Sequence, residues 1–176
     1  MDEFYELNIL GLKRFLPKIE VKENLTIASF VILGDTELVE TCAEFMSSDI
    51  PDIDYIICPE AKSIPLAHAI ARNKKINYIV LRKSIKGYMK NPIVKEVKSI
   101  TTMGKQELVI DGIDVEKIKN KKVAIIDDVV STGGTIEEVR NLLEQVGANV
   151  VWEGCILLEG DGAFEGLYYI KRLPIW

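Results

Sequence analysis

Residues 123–135 read VAIIDDVVSTGGT, four apolar residues that run into two adjacent carboxylates and then into a segment of Ser, Thr and Gly. The apolar run predicts a buried strand. Apolar residues at helical spacing follow, and they predict a helix that begins at about Gly134 and ends before Gly147. Asp127 and Asp128 therefore stand where a strand ends and just before a helix begins. In an open α/β sheet, ligands bind outside this end of the strands.

The loop at residues 131–135, STGGT, has the composition of a phosphate-binding loop. The start of a helix presents unpaired N–H groups and the positive end of the helix dipole. The two glycines let the backbone approach an anion closely, and the hydroxyl groups add donors. Asp127 and Asp128 would repel that phosphate, so they must face a different group, and the vicinal hydroxyls of a ribose are suitable donors. The pattern predicts a bound ribose 5-phosphate.

Three other nucleotide or phosphate sites fit this stretch less well. A P-loop requires Lys after its second Gly, and this loop has none. A dinucleotide-binding fold places its glycines after the first strand, whereas these come late in the chain. An acidic pocket of the receiver type needs its paired acids near the start of the chain.

The composition is that of one ordinary globular domain of 176 residues, with 48% hydrophobic and 28% charged residues. The net charge of −5 argues against nucleic acid as the main partner. No apolar run is long enough to cross a membrane, and the acidic N-terminus is unlike a signal peptide. Three scattered cysteines, Cys42, Cys58 and Cys155, indicate reduced thiols in a cytoplasmic protein.

Apolar strands alternate with helices along most of the chain, which predicts an α/β fold with a central, mostly parallel sheet and helices on both faces. The patterns predict helices over residues 3–15, 37–46 and 64–72, and strands over residues 27–33, 54–58, 77–81, 123–126 and 150–158.

Residues 84–120 depart from this alternation of strands and helices. They carry five Lys before Gln106 and β-type runs at residues 93–99 and 107–111, which predict a long, partly mobile hairpin. Insertions of this kind often act as lids over a ligand.

The stretch at residues 123–135 resembles the phosphoribosyl-diphosphate (PRPP) signature of the type I phosphoribosyltransferases, and the resemblance extends over residues 55–159. Residues 59–65, PEAKSIP, resemble the pyrophosphate-binding loop, although Ser63 stands where the family usually has Gly. Residues 80–83, VLRK, resemble the strand that closes over PRPP. Adenine phosphoribosyltransferases and archaeal hypoxanthine/guanine phosphoribosyltransferases are the most similar in these motifs.

The resemblance implies a single phosphoribosyltransferase domain over residues 1–176. Within it, residues 1–24 form an N-terminal segment, residues 84–120 a flexible catalytic loop, and residues 159–176 a C-terminal hood region. The implied reaction transfers ribose 5-phosphate from PRPP to a purine base, adenine or hypoxanthine/guanine, to give a nucleoside monophosphate and pyrophosphate in purine salvage. Mg²⁺ is expected to bind mainly through PRPP, with no direct protein ligand, in a cytoplasmic homodimer that binds neither nucleic acid nor membrane.

The same resemblance assigns roles to individual residues. The expected catalytic residues are Asp127, Asp128 and Lys83. The expected phosphate loop is Val130, Ser131, Thr132, Gly133, Gly134 and Thr135. The expected pyrophosphate-binding residues are Glu60, Ala61, Lys62, Ser63, Arg82 and Lys83.

The preferred base stays open, because this chain lacks a marker of each branch. Adenine enzymes carry Glu-Tyr-Gly in the mobile loop, where this chain has TMG at residues 102–104. Enzymes acting on 6-oxopurines often carry Lys where this chain has Gly160. Phe164, Tyr168 and Trp176 are candidates to stack on a purine, although a core or interface role is the favoured interpretation for each.

One alternative function is a PRPP-sensing regulator of the purine-repressor type, without catalysis, and another is a catalytically weak homologue or a pyrimidine-specific salvage enzyme. Such regulators need a DNA-binding module ahead of this domain. About 25 residues precede the first predicted parallel strand, too few for a winged helix, and the chain is acidic. We therefore expect an enzyme.

Overall fold

The computed structural model describes residues 3–97, 106–162 and 164–176. Part of the expected flexible loop, residues 98–105, which includes the TMG triplet at 102–104, lies outside this description. The strands are β1 Phe4–Ile9, β2 Leu12–Lys22, β3 Leu25–Ala28, β4 Tyr55–Pro59, β5 Asn77–Leu81, β6 Ile93–Val97, β7 Gln106–Ile110, β8 Lys122–Val130, β9 Asn149–Glu159 and β10 Leu167–Leu173. The helices are α1 Thr36–Ser47, α2 Ile64–Lys74, α3 Gly112–Ile118 and α4 Gly134–Gln145. None of these helices is long and apolar enough to cross a membrane.

The core of the molecule is a five-stranded sheet in the order β10-β9-β8-β4-β5, and every neighbouring pair is parallel. Its strands are apolar on both faces, since Ile56 and Cys58 belong to one buried cluster with α1 and α2, whereas Ile57 belongs to a second with α3 and α4. Burying one such aliphatic side chain contributes roughly 1.5–3 kcal/mol. The predicted α/β architecture is confirmed.

Local signals in the sequence set the ends of the main helices. Asp35 caps α1 by accepting a hydrogen bond from the Leu38 N–H at 3.1 Å. Pro65 lies in the first turn of α2, where its missing N–H has no partner to lose. Gly147 follows α4 with φ of 88°, the left-handed conformation that ends helices. The predicted stop of that helix is therefore confirmed.

The helix predicted over residues 3–15 is wrong, because this segment forms an antiparallel hairpin that β3 extends to three strands. Leu10 and Gly11 both have positive φ, 50° and 81°, as a two-residue hairpin turn requires. Leu7 and Ile9 are fully buried while their neighbours are exposed, which is the alternation of a strand. An apolar spacing of two residues was the signal for this hairpin.

Part of the segment expected as the C-terminal hood, residues 159–176, belongs to the main sheet. Residues 167–173 form β10, an edge strand of the main sheet that the sequence patterns did not predict. The chain then reaches the N-terminal sheet, where Trp176 exchanges two backbone hydrogen bonds with Thr26 at 2.7 and 2.9 Å. This contact places the N-terminal sheet beside the carboxyl ends of the parallel strands.

The hairpin predicted within residues 84–120 is present, with β6 antiparallel to β7. It is fastened to the edge of the main sheet, because the N–H of Arg82 donates to the Val109 carbonyl at 2.9 Å and the N–H of Val109 donates to the Arg82 carbonyl at 2.8 Å. The short helix α3 follows and was not predicted.

Candidate functional site

A cleft of about 320 Å³ opens at the carboxyl ends of β4, β5 and β8. One wall is the hairpin, and the other walls bring residues 60–63 together with Lys83, Asp127, Asp128 and Thr135. A smaller hollow of about 60 Å³, lined by residues 129–133, adjoins it and shares Asp127 and Thr135. The two predicted loops and the acid pair therefore meet at one place. Arg82 does not line this cleft.

Asp128 has an unsatisfied acceptor at the centre of the cleft. Asp128 is 4% exposed, and its Oδ2 atom is buried without a hydrogen-bond partner within the described part of the chain. Lys62 Nζ lies 3.4 Å from this oxygen. Since a buried carboxylate oxygen without a donor is unfavourable, this atom favours a ligand that brings one.

Asp127 lies beside it and resists ionisation. Burial raises the pKa of Asp127 well above its usual value, and the negative charge of Asp128 and a hydrogen bond with it act in the same direction. The N–H of Asp128, which donates to Asp127 Oδ1 at 2.9 Å, and the charge of Lys62 oppose the shift. Cys58 and Cys155 face this carboxylate from the neighbouring strands, and burial raises the pKa of each thiol to about 12, so both are neutral at physiological pH.

This arrangement predicts that Asp127→Asn will stabilise the ligand-free protein at neutral pH. The unfolded carboxyl has a pKa near about 3.9 and the folded one is higher, so the wild type loses stability as pH rises from the unfolded pKa through the folded pKa. Asn keeps the Oδ1 acceptor and does not ionise. We expect a gain of roughly 0.5–2 kcal/mol at pH 7, measured by thermal unfolding, and no gain near pH 3. A lower melting temperature at pH 7 would contradict this account.

The phosphate loop has the geometry expected of an anion site. Gly133 caps α4 in the left-handed conformation, with φ of 78°. Within the described residues no side-chain hydrogen bond caps α4, so the N–H groups of its first turn can bind an anion. Ser131, Thr132 and Thr135 are exposed beside these groups.

The three aromatic candidates lie in packed positions. Phe164 packs on the outer side of the phosphate loop, where a Cβ added to Gly133 would lie 2.8 Å from its Cδ1 atom. Tyr168 packs on a tryptophan of β9, and its place at the start of β10 is remote from the carboxyl end of that strand. Trp176 lies against Tyr5 in the N-terminal sheet. Phe164 and Tyr168 are partly buried, whereas Trp176 is 45% exposed, so a core role fits only the first two.

Ser63 adapts to its position in the pyrophosphate-binding segment. Its φ of −81° is accessible to any residue, so no glycine is required there. The side chain is buried, and its hydroxyl donates to the Pro59 carbonyl at 2.8 Å. The peptide bond between Glu60 and Ala61 is cis.

Glu60 connects this segment to the end of β5. Its Oε1 accepts a hydrogen bond from the Lys83 N–H at 2.6 Å, and Oε2 accepts one from Arg82 Nε at 3.0 Å. Burial opposes ionisation of Glu60, but these bonds and the charges of Arg82 and Lys86 hold its pKa below its usual value. Arg82 also donates to the Tyr88 hydroxyl at 2.6 Å. The guanidinium of Arg82 therefore contacts Glu60 and Tyr88 and lies outside the cleft.

Some residues at the site had no signal in the sequence. Gln106 and Glu107 of β7 line the cleft, and only the pairing of the hairpin puts them there. Arg172 of β10 donates to the carbonyls of Gly160 and Gly162, at 2.8 and 2.9 Å, and so holds the loop that carries Phe164.

Comparison with known proteins gives one family match and two sets of relatives. A family model described as the phosphoribosyl transferase domain matches residues 35–175. The hypoxanthine/guanine phosphoribosyltransferase of Methanothermus fervidus is 35% identical over 114 residues, which cover 65% of this chain and 57% of that protein. The protein of the same name from Methanothermococcus okinawensis is 34% identical over 134 residues, covering 76% of this chain and 69% of that protein. The first match thus spans little more than half of its relative.

Solved structures share the fold at lower identity. Adenine phosphoribosyltransferase from Thermoanaerobacter pseudethanolicus superimposes with a TM-score of 0.67 at 18% identity, covering 97% of this chain and 95% of that chain. The Trypanosoma brucei enzyme, solved with AMP, pyrophosphate and ribose-5-phosphate, gives a TM-score of 0.60 at 20% identity, covering 81% of this chain and 66% of that chain.

Proposed function

Since this chain belongs to the phosphoribosyl transferase domain family, we propose that it transfers ribose 5-phosphate from PRPP to a purine base and releases pyrophosphate. The observation that carries the proposal is the buried Asp128 Oδ2 atom, which accepts no hydrogen bond from any described residue and lies in the cleft beside the start of α4. A sugar phosphate offers this site both groups it lacks, hydroxyl donors for the acids and an anion for the helix. The names of the relatives, which are hypoxanthine/guanine and adenine phosphoribosyltransferases, support a purine acceptor.

In this proposal the cleft holds each part of PRPP with a different set of groups. Asp127 and Asp128 accept hydrogen bonds from the ribose hydroxyls, and residues 130–135 bind the 5-phosphate. Lys62 and Lys83 bind the pyrophosphate. Transfer passes through a sugar that carries positive charge, so catalysis depends on orientation and on stabilising the leaving pyrophosphate. The hairpin wall excludes water, which would otherwise compete with the base.

The family implies Mg²⁺, and the oxygen-rich acid pair suits a hard cation. Among the described residues, no group of three or more His, Cys, Asp and Glu side chains is arranged to hold a metal ion. We therefore propose that the oxygens of PRPP supply most of its ligands. When bound, Mg²⁺ would offset the charge of the diphosphate.

Glu60 and Arg82, which the family resemblance placed on pyrophosphate, have positioning roles in this proposal. A carboxylate would repel the diphosphate, and both oxygens of Glu60 already accept hydrogen bonds from residues 82 and 83. Glu60 thus holds the backbone of Lys83 in place, and Arg82 orients Glu60. The side chain of Lys83 is left to face the ligand.

Glu60→Gln is expected to lower kcat/KM for PRPP by about tenfold, because the charge-assisted bond to Arg82 contributes roughly 1.5 kcal/mol or more. Steady-state kinetics at saturating base would measure this. Tyr88→Phe, which removes only the exposed hydroxyl partner of Arg82, serves as the control and should stay within about twofold of wild type. Equal kinetics for Glu60→Gln and wild type would exclude the positioning role.

The proposed activity is tested by incubating the protein with PRPP, Mg²⁺ and adenine, hypoxanthine, guanine, xanthine or uracil in turn. Pyrophosphate release with one purine is the expected result, and it would also identify the base. Release with uracil alone would contradict the purine assignment. PRPP binding without turnover on any base would instead favour a PRPP sensor.

We extend the proposal to the whole chain as one domain in which residues 84–120 cover the cleft. A cytoplasmic location is supported by three free, buried cysteines, which are usual in a reducing compartment. A homodimer is supported by apolar side chains exposed on the N-terminal sheet, among them Phe4, Phe15 and Ile19, which are 45–61% exposed.

A further inference from the structure

The ammonium group of Lys62 contacts an acidic side chain in the cleft. Its ammonium lies 3.4 Å from Asp128 Oδ2, and the two side chains differ in exposure, 48% for Lys62 and 5% for Asp128. Within the described residues this oxygen has no hydrogen-bond partner. Lys62 is therefore the group that offsets the charge of a buried carboxylate.

The charge of Lys62 also acts on two other carboxyl groups, those of Asp127 and Glu159. Burial raises the pKa of Asp127 and that of Glu159, and the charge of Lys62 opposes this shift at both carboxyls. The buried Ser63 anchors the neighbouring backbone through its bond to Pro59, whereas the Lys62 side chain is half exposed. The ammonium can thus change partner without movement of the loop.

We propose that Lys62 is a specificity-determining residue that couples recognition of the two halves of the sugar diphosphate. The ribose hydroxyls replace Lys62 as partners of Asp128, and the pyrophosphate receives the displaced ammonium. This inference rests on the proposed function, since it requires that PRPP binds in this cleft.

The exchange penalises either half of the ligand when it binds alone. Ribose 5-phosphate must displace Lys62 from Asp128 without offering the ammonium a new anion at the pyrophosphate position. Pyrophosphate attracts Lys62 and leaves the buried Asp128 oxygen without any partner. Because each half removes the penalty of the other, the two halves bind with positive coupling, and the site favours the intact donor.

Isothermal titration calorimetry with Mg²⁺ present measures this coupling. Ribose 5-phosphate is titrated into the protein with and without saturating pyrophosphate, and PRPP is titrated separately. For wild type we expect pyrophosphate to tighten the binding of ribose 5-phosphate at least about fivefold. Lys62→Met should bring this ratio close to one, and Lys62→Arg, which keeps the charge, should restore it in part.

Lys83→Met is the matched control, because it removes a second cation that lines the cleft. Within the described residues, Lys83 forms no ion pair with Asp127 or Asp128. It should weaken pyrophosphate binding but preserve the coupling ratio. Lys62→Gln provides a second neutral variant if Lys62→Met does not fold, as judged by circular dichroism.

The possible results separate the two proposals. If PRPP does not bind to wild type, the proposed function fails. If PRPP binds but the two halves bind independently or exclude each other, only the coupling role of Lys62 is overturned. The same conclusion follows if Lys62→Met keeps the full coupling ratio, or if Lys83→Met loses it as completely.

Discussion

Replacing Asp127 and Asp128 together by Asn is expected to lower transfer from PRPP by about 10²- to 10⁴-fold. A hydrogen bond to a charged group contributes roughly 1.5–3 kcal/mol, so the loss of two gives about 3–6 kcal/mol, and each 1.36 kcal/mol is tenfold in rate. An Asn side chain offers one acceptor oxygen where a carboxylate offers two. In the proposed complex, the ribose hydroxyls would then face amide donors in place of carboxylate acceptors.

The measurement is kcat/KM for PRPP together with thermal unfolding. The double variant should unfold at a temperature no lower than wild type, since like charges have been removed from a buried strand end. Asp52→Asn with Asp54→Asn is the matched control. These two acids precede β4, at the amino ends of the parallel strands and away from the cleft, so their replacement should leave turnover unchanged. Wild-type turnover in the Asp127/Asp128 variant would remove these residues from the mechanism.

Gly133→Ala is expected to destabilise the folded protein by about 2–5 kcal/mol and to disrupt binding of the 5-phosphate. The left-handed backbone, with φ of 78°, costs an L-residue roughly 1–2 kcal/mol. The new methyl group would also press on the ring of Phe164, and overpacking of this kind costs roughly 1–3 kcal/mol. Urea denaturation measures the first effect, and calorimetric titration with ribose 5-phosphate measures the second.

Two further variants separate the effect of the backbone conformation on stability from the effect of overpacking against Phe164. Gly134→Ala lies in the first turn of α4, where an added Cβ would have no neighbour nearer than Thr132 Oγ1 at 3.7 Å, so its stability should match or exceed that of wild type. Adding Phe164→Leu to Gly133→Ala should recover the overpacking part but not the backbone part. A Gly133→Ala protein as stable as wild type would show that the loop does not need this conformation.

The parallel core and the position of the acid pair could be predicted because their signals are local. Residues 123–126 are continuously apolar, and the acids and glycines follow at fixed offsets before a periodic helix. The N-terminal hairpin was missed because its deciding feature is a two-residue turn at Leu10 and Gly11, whose first member is not a usual turn residue.

The partners of individual charges could not be predicted, because they depend on contacts between distant parts of the chain. Glu60 and Arg82 are 22 residues apart in sequence, and only the parallel pairing of β4 with β5 brings them into contact. The pairing of Lys62 with Asp128 arises in the same way from β4 and β8. A sequence motif can place a residue at a site, but the fold decides which neighbouring residue its charged group contacts.

The two backbone hydrogen bonds between Arg82 and Val109 have a mechanical consequence. They fix the base of the hairpin one residue away from Lys83, which lines the cleft. A displacement of the base of the hairpin would therefore also displace Lys83. The placement of Lys83 in the cleft is in this way coupled to the placement of the hairpin through the main chain.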